Sequence, residues 1–289
     1  MKILYVYNFE YPDYQSDTIY HGLIDNNYDV YETHYPSYML KSFESKTTIY
    51  GKGFTLFGKL EHTPKVDSPE IIVEKIRSRF YDIIIYGCVY THEGFPKRQC
   101  LDYFEYVKQH YPKDKVHFID GSDYPWNFAH AHGLNPYGII WKTHLVDPGA
   151  ANPITFGIPE SQLIDHTPNK QKIFANIIPG RPETYIYDNE KDYYQDYATS
   201  FYGMTWKKAQ WNCMRHYEIL ANKCIPYFPD IDECPPLTMV NFPKDVIRET
   251  NKYARRYEVH PDYNKLNEYL FDYTKNNLTT KKISKTILM

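Results

Sequence analysis

The sequence predicts a mixed α/β chain of two units with mostly parallel strands, on three observations. Short apolar runs alternate with amphipathic helical patterns through roughly the first 120 residues. A polar stretch carrying Pro148, Pro153, Pro159 and Pro168 then interrupts them, and strand and helix patterns resume near residue 172. Parallel strands need crossover connections, which helices supply. A chain of 289 residues exceeds the usual size of one domain, so the proline-rich stretch is expected to join residues 1–165 to residues 166–289, with the last helix packing back on the first unit.

Residues 3–7 form a compact apolar run. Ser16 or Asp17 can cap a helix burying Ile19, Tyr20, Leu23 and Ile24. Residues 28–35 read as a second strand, and residues 36–67 lack clean periodicity. Ser68-Pro69-Glu70 combines a cap with proline at the first helical position and opens a helix with Ile72, Ile76 and Phe80 on one face. A strand at 82–87, a helix at 99–111 and a strand at 116–119 follow, which makes this half Rossmann-like in a loose sense. In the second unit, strands are expected at 173–178 and 225–228, helices at 192–200 and 210–222, and two terminal helices over 245–276.

Charge and cysteine usage narrow the function classes. Lys and Arg number 33 against 36 Asp and Glu, and the net charge of −3 gives no whole-chain reason to expect nucleic acid. Five cysteines without a C-x-x-C pair argue against a disulfide framework or a zinc site and fit a reducing cytosol. The first residues enter a strand-like run without a basic and apolar leader, and no run of 18 apolar residues occurs, so neither a signal peptide nor a membrane span is expected. The 31 tyrosines read mostly as the bias of an AT-rich genome. Phosphate loops of the Walker type and a clean Gly-x-Gly-x-x-Gly are missing, so ATPase and dinucleotide chemistry lack their usual residues.

The informative segment runs from Lys207 to Pro229. On a helix over 210–222, Cys213, Tyr217, Leu220 and Ala221 make an apolar stripe, and Arg215 and Glu218 lie beside each other at i, i+3. A departing diphosphate needs cations near a helix N-terminus, which Lys207, Lys208 and Arg215 can supply. A ribose offers two neighbouring hydroxyls that one carboxylate such as Glu218 can accept. The same spacing also fits a solvent-exposed helical pair contributing ~0.2–0.5 kcal/mol.

The run Arg215-His-Tyr-Glu218-Ile-Leu-Ala-Asn-Lys-Cys-Ile-Pro226 resembles the donor-binding signature of exostosin-like and related GT-B glycosyltransferases, in which an Arg-x-x-Glu helix precedes a turn and an Ile-Pro strand. Lys207-Lys208, Trp211, Tyr227-Phe-Pro229 and Cys234-Pro are similar to features of bacterial and large-virus relatives. The specific match covers about 35 residues. It implies a GT-B fold, two Rossmann-like domains facing a cleft, in a hexosyl- or pentosyltransferase. The first domain would bind a sugar or glycan acceptor and the second a nucleoside-diphosphate sugar. By this resemblance Glu218 binds the ribose, Arg215 and Lys207 or Lys208 the diphosphate, and Gly180 and Thr184 approach the nucleotide. The paired glutamates of many retaining enzymes are missing, since Gln210 and Pro226 stand eight positions either side of Glu218, and this favours inversion. The turn that usually contains glycine reads Asn222-Lys223, with Asn the residue suited to a left-handed conformation.

Inversion needs a base for the acceptor hydroxyl, expected on a loop at the C-terminal edge of the first sheet. Asp123 ranks first, Asp17 second and Glu93 third, with Asp120 and His92 also placed there. Each also fits a cap or a turn carboxylate. Asp120-x-x-Asp123 misses the Asp-x-Asp metal spacing by one residue, and His130 and His132 lack a third ligand, so no metal is expected. His144 is expected to line the cleft, and His216 to be packed. The rival readings are a non-catalytic glycan- or nucleotide-sugar-binding protein of the same fold and an enzyme adding sugar to nucleic-acid bases.

Overall fold

A computed structural model describes residues 1–7, 12–43, 50–89, 101–147, 149 and 151–289. The chain is mixed α/β, with one six-stranded and one three-stranded sheet, and all pairings between named strands are parallel. The first sheet takes β1 (Lys2–Val6), β2 (Asp29–Glu32), β3 (Ile83–Tyr86), β4 (Val116–Asp120), β5 (Ile139–Lys142) and β6 (Asn152–Pro153) in the order β2-β1-β3-β4-β5-β6. The second takes β7 (Lys172–Phe174), β8 (Ser200–Met204) and β9 (Ile225–Tyr227) in chain order.

Period-two alternation explains why the strands of the first sheet read as continuous apolar runs. Ile3 and Tyr5 of β1 and Ile83 and Ile85 of β3 face one core, while Leu4, Val6, Ile84 and Tyr86 face another. Both faces are covered. The first core continues through Phe156 and Tyr217 into the second sheet's surroundings, their rings 6.4 Å apart.

The helices show where local signals hold. Helix α1 (Tyr14–Asp25) is capped by Asp13, whose carboxylate accepts the Ser16 amide, so the cap lies upstream of the expected Ser16 or Asp17. Helix α2 (Pro69–Arg77) follows the Ser68 cap and buries Ile72 and Ile76 as expected, but it ends before Phe80, which the sequence pattern places on the same face. The next two are α3 (Phe104–His110), shorter than expected, and the single turn α4 (Phe128–Ala131). Helix α5 (Glu190–Ala198) is capped by Asn189. Helix α6 (Met214–Ala221) starts four residues later than the sequence suggests, after an extended Cys213. The left-handed residue beyond it is Lys223 (φ 48°) and not Asn222.

Three helices, not two, close the chain: α7 (Lys244–Ala254), α8 (Tyr263–Asn277) and α9 (Thr280–Thr286). Helix α9 lies against α1, where a Cβ on Gly22 would stand 2.0 Å from the Thr280 carbonyl oxygen. Asn26 Nδ2 donates to the Lys281 carbonyl at 2.9 Å, and a bridge pairs Ile158 with Thr279. Among the described residues no helix is long and apolar enough to cross a membrane.

Candidate functional site

Parallel strands send their C-terminal ends, and the loops that leave them, to one edge of each sheet, where irregular backbone can carry chemistry. The loop after β5 meets the loops after β8 and β9: Asn212 Nδ2 donates to Thr143 Oγ1 at 3.0 Å, and Thr238 Oγ1 donates to the Leu145 carbonyl at 2.9 Å. His144 lies between those two ties.

Arg215 sits in the first turn of α6. Its Nη2 donates to the Tyr185 hydroxyl at 3.1 Å, and the guanidinium lies 5.6 Å from the centre of that ring. Its Nε is buried without a partner, and among the described residues no carboxylate forms a salt bridge with it. The Gly180 amide also donates to the Tyr185 hydroxyl, at 3.4 Å, with Gly180 in the left-handed region (φ 75°). Arg215 and the loop after β7 therefore converge on one phenol. Thr184 turns inward: its hydroxyl accepts the Ile178 amide at 3.0 Å and donates to the Arg181 carbonyl at 2.7 Å, fixing that loop.

Glu218 is not the solvent-exposed half of a helical pair that its spacing also allows, and it is buried although it lies off the expected packed stripe. It is 8% exposed and bonds to neutral hydroxyls, Thr55 Oγ1 on one oxygen and the Tyr193 hydroxyl on the other. Burial pushes its pKa up, while the two hydroxyls and the nearby Arg215 pull it down. Of the expected stripe, Tyr217, Leu220 and Ala221 are buried and Cys213 is partly exposed at the cap.

Lys207 and Lys208 are exposed on the loop after β8, and neither ammonium has an ion-pair partner among the described residues. Lys207 Nζ stands 5.5 Å from the Trp211 ring centre, and its amide donates to Asp230 at 3.1 Å.

The candidate bases separate clearly. Asp17 is sealed inside α1's packing face at 0% exposure, with Oδ1 accepting from the Tyr38 hydroxyl at 2.8 Å and Oδ2 unpartnered. Burial and then Asp13 push its pKa well above the usual carboxylate range. A sealed carboxyl cannot reach an acceptor, so its position does not suit a base. Asp120 is likewise buried: it accepts from Ser122, the Phe128 amide and Lys142 Nζ, the last at 3.1 Å. Asp123 is exposed beside this cluster. Glu93 and His92 lie outside the described residues.

His144 carries chemistry that residue type alone did not rank. Its Nδ1 lies 2.8 Å from the Asp123 carbonyl, which makes Nδ1 the protonated nitrogen and leaves the Nε2 lone pair without a protein partner among the described residues. Burial lowers its pKa, so the neutral ring is favoured. His216 is fully buried between Thr205 Oγ1 at 2.9 Å and the Trp211 carbonyl at 2.8 Å, as its packed role requires. His130 bonds to Asn135 at 3.0 Å, and no group of three or more metal-ligating side chains occurs among the described residues.

No protein-family model matches the chain, and no curated protein matches it.

Proposed function

We propose that the chain is a glycosyltransferase of the GT-B type that moves a sugar from a nucleoside diphosphate to a hydroxyl acceptor, with inversion and without a required metal. One observation carries this reading: Arg215 is held by a phenol and forms no salt bridge among the described residues, at the edge where the loops of both sheets meet. A guanidinium placed so is matched to a planar or tetrahedral oxyanion, which it can bind by two parallel hydrogen bonds. Lys207 and Lys208 add positive charge on the adjoining loop, with no ion-pair partner among the described residues.

In this reading residues 166–289 bind the donor and residues 1–165 the acceptor. Arg215 and a neighbouring lysine hold the diphosphate, Glu218 accepts from the ribose, and the Gly180 loop lies against the nucleotide. The acceptor oxygen bonds to the anomeric carbon from the face opposite the diphosphate. The bond to the diphosphate oxygen breaks with its electron pair, and the cations stabilise the charge that develops. The acceptor proton passes to a base at the edge of the first sheet, where among the described residues the exposed Asp123 carboxylate and Nε2 of the largely buried His144 are the candidates.

The test uses the full chain, a panel of UDP- and GDP-sugars, and donor hydrolysis as the first readout, with and without EDTA. Turnover that survives EDTA supports the proposal. Binding with no turnover across suitable acceptors points to a non-catalytic nucleotide-sugar-binding protein, and loss of turnover in EDTA that manganese restores overturns the metal-independent step.

A further inference from the structure

We infer that residues 52–59 form an arm that occupies the donor site and must leave it for a nucleotide sugar to bind. The inference rests on the donor-site reading above. Thr55 belongs to the long excursion between β2 and α2, yet its hydroxyl bonds to Glu218, 163 positions away. With Tyr193 on the other oxygen, Glu218 already accepts from two hydroxyls, as it would from a ribose diol. Thr55 stands where one sugar hydroxyl belongs.

The arm's further polar holds on the second half of the chain are also made by side chains. The Thr55 amide donates to Glu190 Oε1 at 2.6 Å, Lys59 pairs with the other Glu190 oxygen, and Thr55 Oγ1 shares a hydrogen bond of 2.7 Å with the Tyr194 hydroxyl. Lys52 Nζ donates to the Tyr187 carbonyl at 2.5 Å and to Asp188 at 3.2 Å. The Phe54 ring lies 5.5 Å from that of Tyr193. These anchors fall on Glu218, on α5 through Glu190, Tyr193 and Tyr194, and on the loop before α5 that carries Tyr185, the partner of Arg215. Releasing the arm uncovers both parts of the site together.

Left-handed backbone is concentrated in the same place. Lys52 and Thr55 have φ of 57° and 70°, beside Gly53 and Gly58 at 71° and 63°, where glycine takes the conformation without strain. A β-branched residue such as Thr55 rarely takes a left-handed conformation and keeps it only when its partners over-determine it. Such a segment opens when those partners are taken by a competitor. A site closed most of the time binds its ligand more weakly by the fraction of time it is open.

Amide hydrogen exchange over residues 52–59 and calorimetric titration with UDP and GDP test the inference in the full chain. Saturating nucleotide should speed exchange in 52–59. Thr55→Val deletes the hydroxyl and keeps the branched shape, and Lys59→Ala breaks a hold outside the ribose contact. Each should tighten nucleotide binding by about 5–10-fold and speed exchange without nucleotide. If nucleotide binds while exchange in 52–59 slows or stays unchanged, or if both variants bind more weakly, the arm is part of the site wall and the inference falls while the donor reading stands. If neither nucleotide binds the native chain or either variant, both fall.

Discussion

Arg215 and Glu218 lie one helical turn apart on α6 and form no salt bridge. The guanidinium bonds to Tyr185 at 3.1 Å, whereas the carboxylate bonds to Thr55 and Tyr193. A pair at this spacing ordinarily satisfies itself on the helix surface. Here each charge is turned to a different set of phenols and hydroxyls, so the cation keeps its capacity for an anion from outside.

Glu218→Ala leaves the Thr55 and Tyr193 hydroxyls without their acceptor in a buried place. The expected loss is about 1–3 kcal/mol of stability, and Glu218→Gln, which keeps one carbonyl acceptor, should lose less. Urea unfolding of both variants measures this. Equal stability for native and alanine forms would mean that these bonds do not form in solution.

Lys142 and Asp120 are direct register partners on β5 and β4, both at 0% exposure, with Nζ 3.1 Å from the carboxylate. Lys142→Ala strands a buried carboxylate and should cost about 3–5 kcal/mol. Asp120 is thereby a scaffold group, and chemical denaturation of the variant reads the loss.

His216 is buried neutral, and its pKa is lowered to about 3 from an ordinary 6.5, burial being the largest cause. Between those values the unfolded state binds more protons. The contribution to stability is therefore full above the ordinary value and is lost as pH falls toward the folded one. His21 and His117 act in the same direction. His216→Gln should reduce the slope of stability against pH in acid by up to about 1.4 kcal/mol per pH unit. An unchanged slope in parallel urea titrations would place His216 in contact with water.

Gly22 allows α9 to lie on α1, since a Cβ there would meet the Thr280 carbonyl at 2.0 Å and Ser284 Oγ at 2.7 Å. Gly22→Ala should cost at least about 1–3 kcal/mol and speed tryptic cleavage at Lys281 and Lys282. Cleavage at the native rate would show that α9 packs elsewhere.

The residues that were legible in sequence are those whose environment is local or periodic. The apolar runs of β1, β3 and β4 and the Ser68-Pro69 cap needed nothing distant. β5 carries no clear local signal because its last residue, Lys142, breaks the apolar run and is buried through Asp120 and Ser122, 22 and 20 positions earlier. β8 carries Gly203, where Ile219 of α6 packs so closely that a Cβ would stand 2.8 Å from it. The expected helical turn at 210–213 is replaced by side-chain bonds, Asn212 to Thr143 and Tyr217 to Asn212. Within the site, the Arg215-x-x-Glu218 spacing pointed to two of the residues, but their separation and the Thr55 contact depend on long-range pairing that no local pattern records.

Titration of the full chain with UDP, GDP and the two parent nucleosides, repeated on Arg215→Ala, tests the central claim most directly. The account predicts that a nucleoside diphosphate binds and its nucleoside binds far more weakly. It also predicts that Arg215→Ala lowers diphosphate affinity by about 10- to 100-fold, the loss of a charged hydrogen bond of about 1.5–3 kcal/mol, with little change in unfolding. Binding by neither diphosphate, or diphosphate affinity unchanged in the variant, would contradict it.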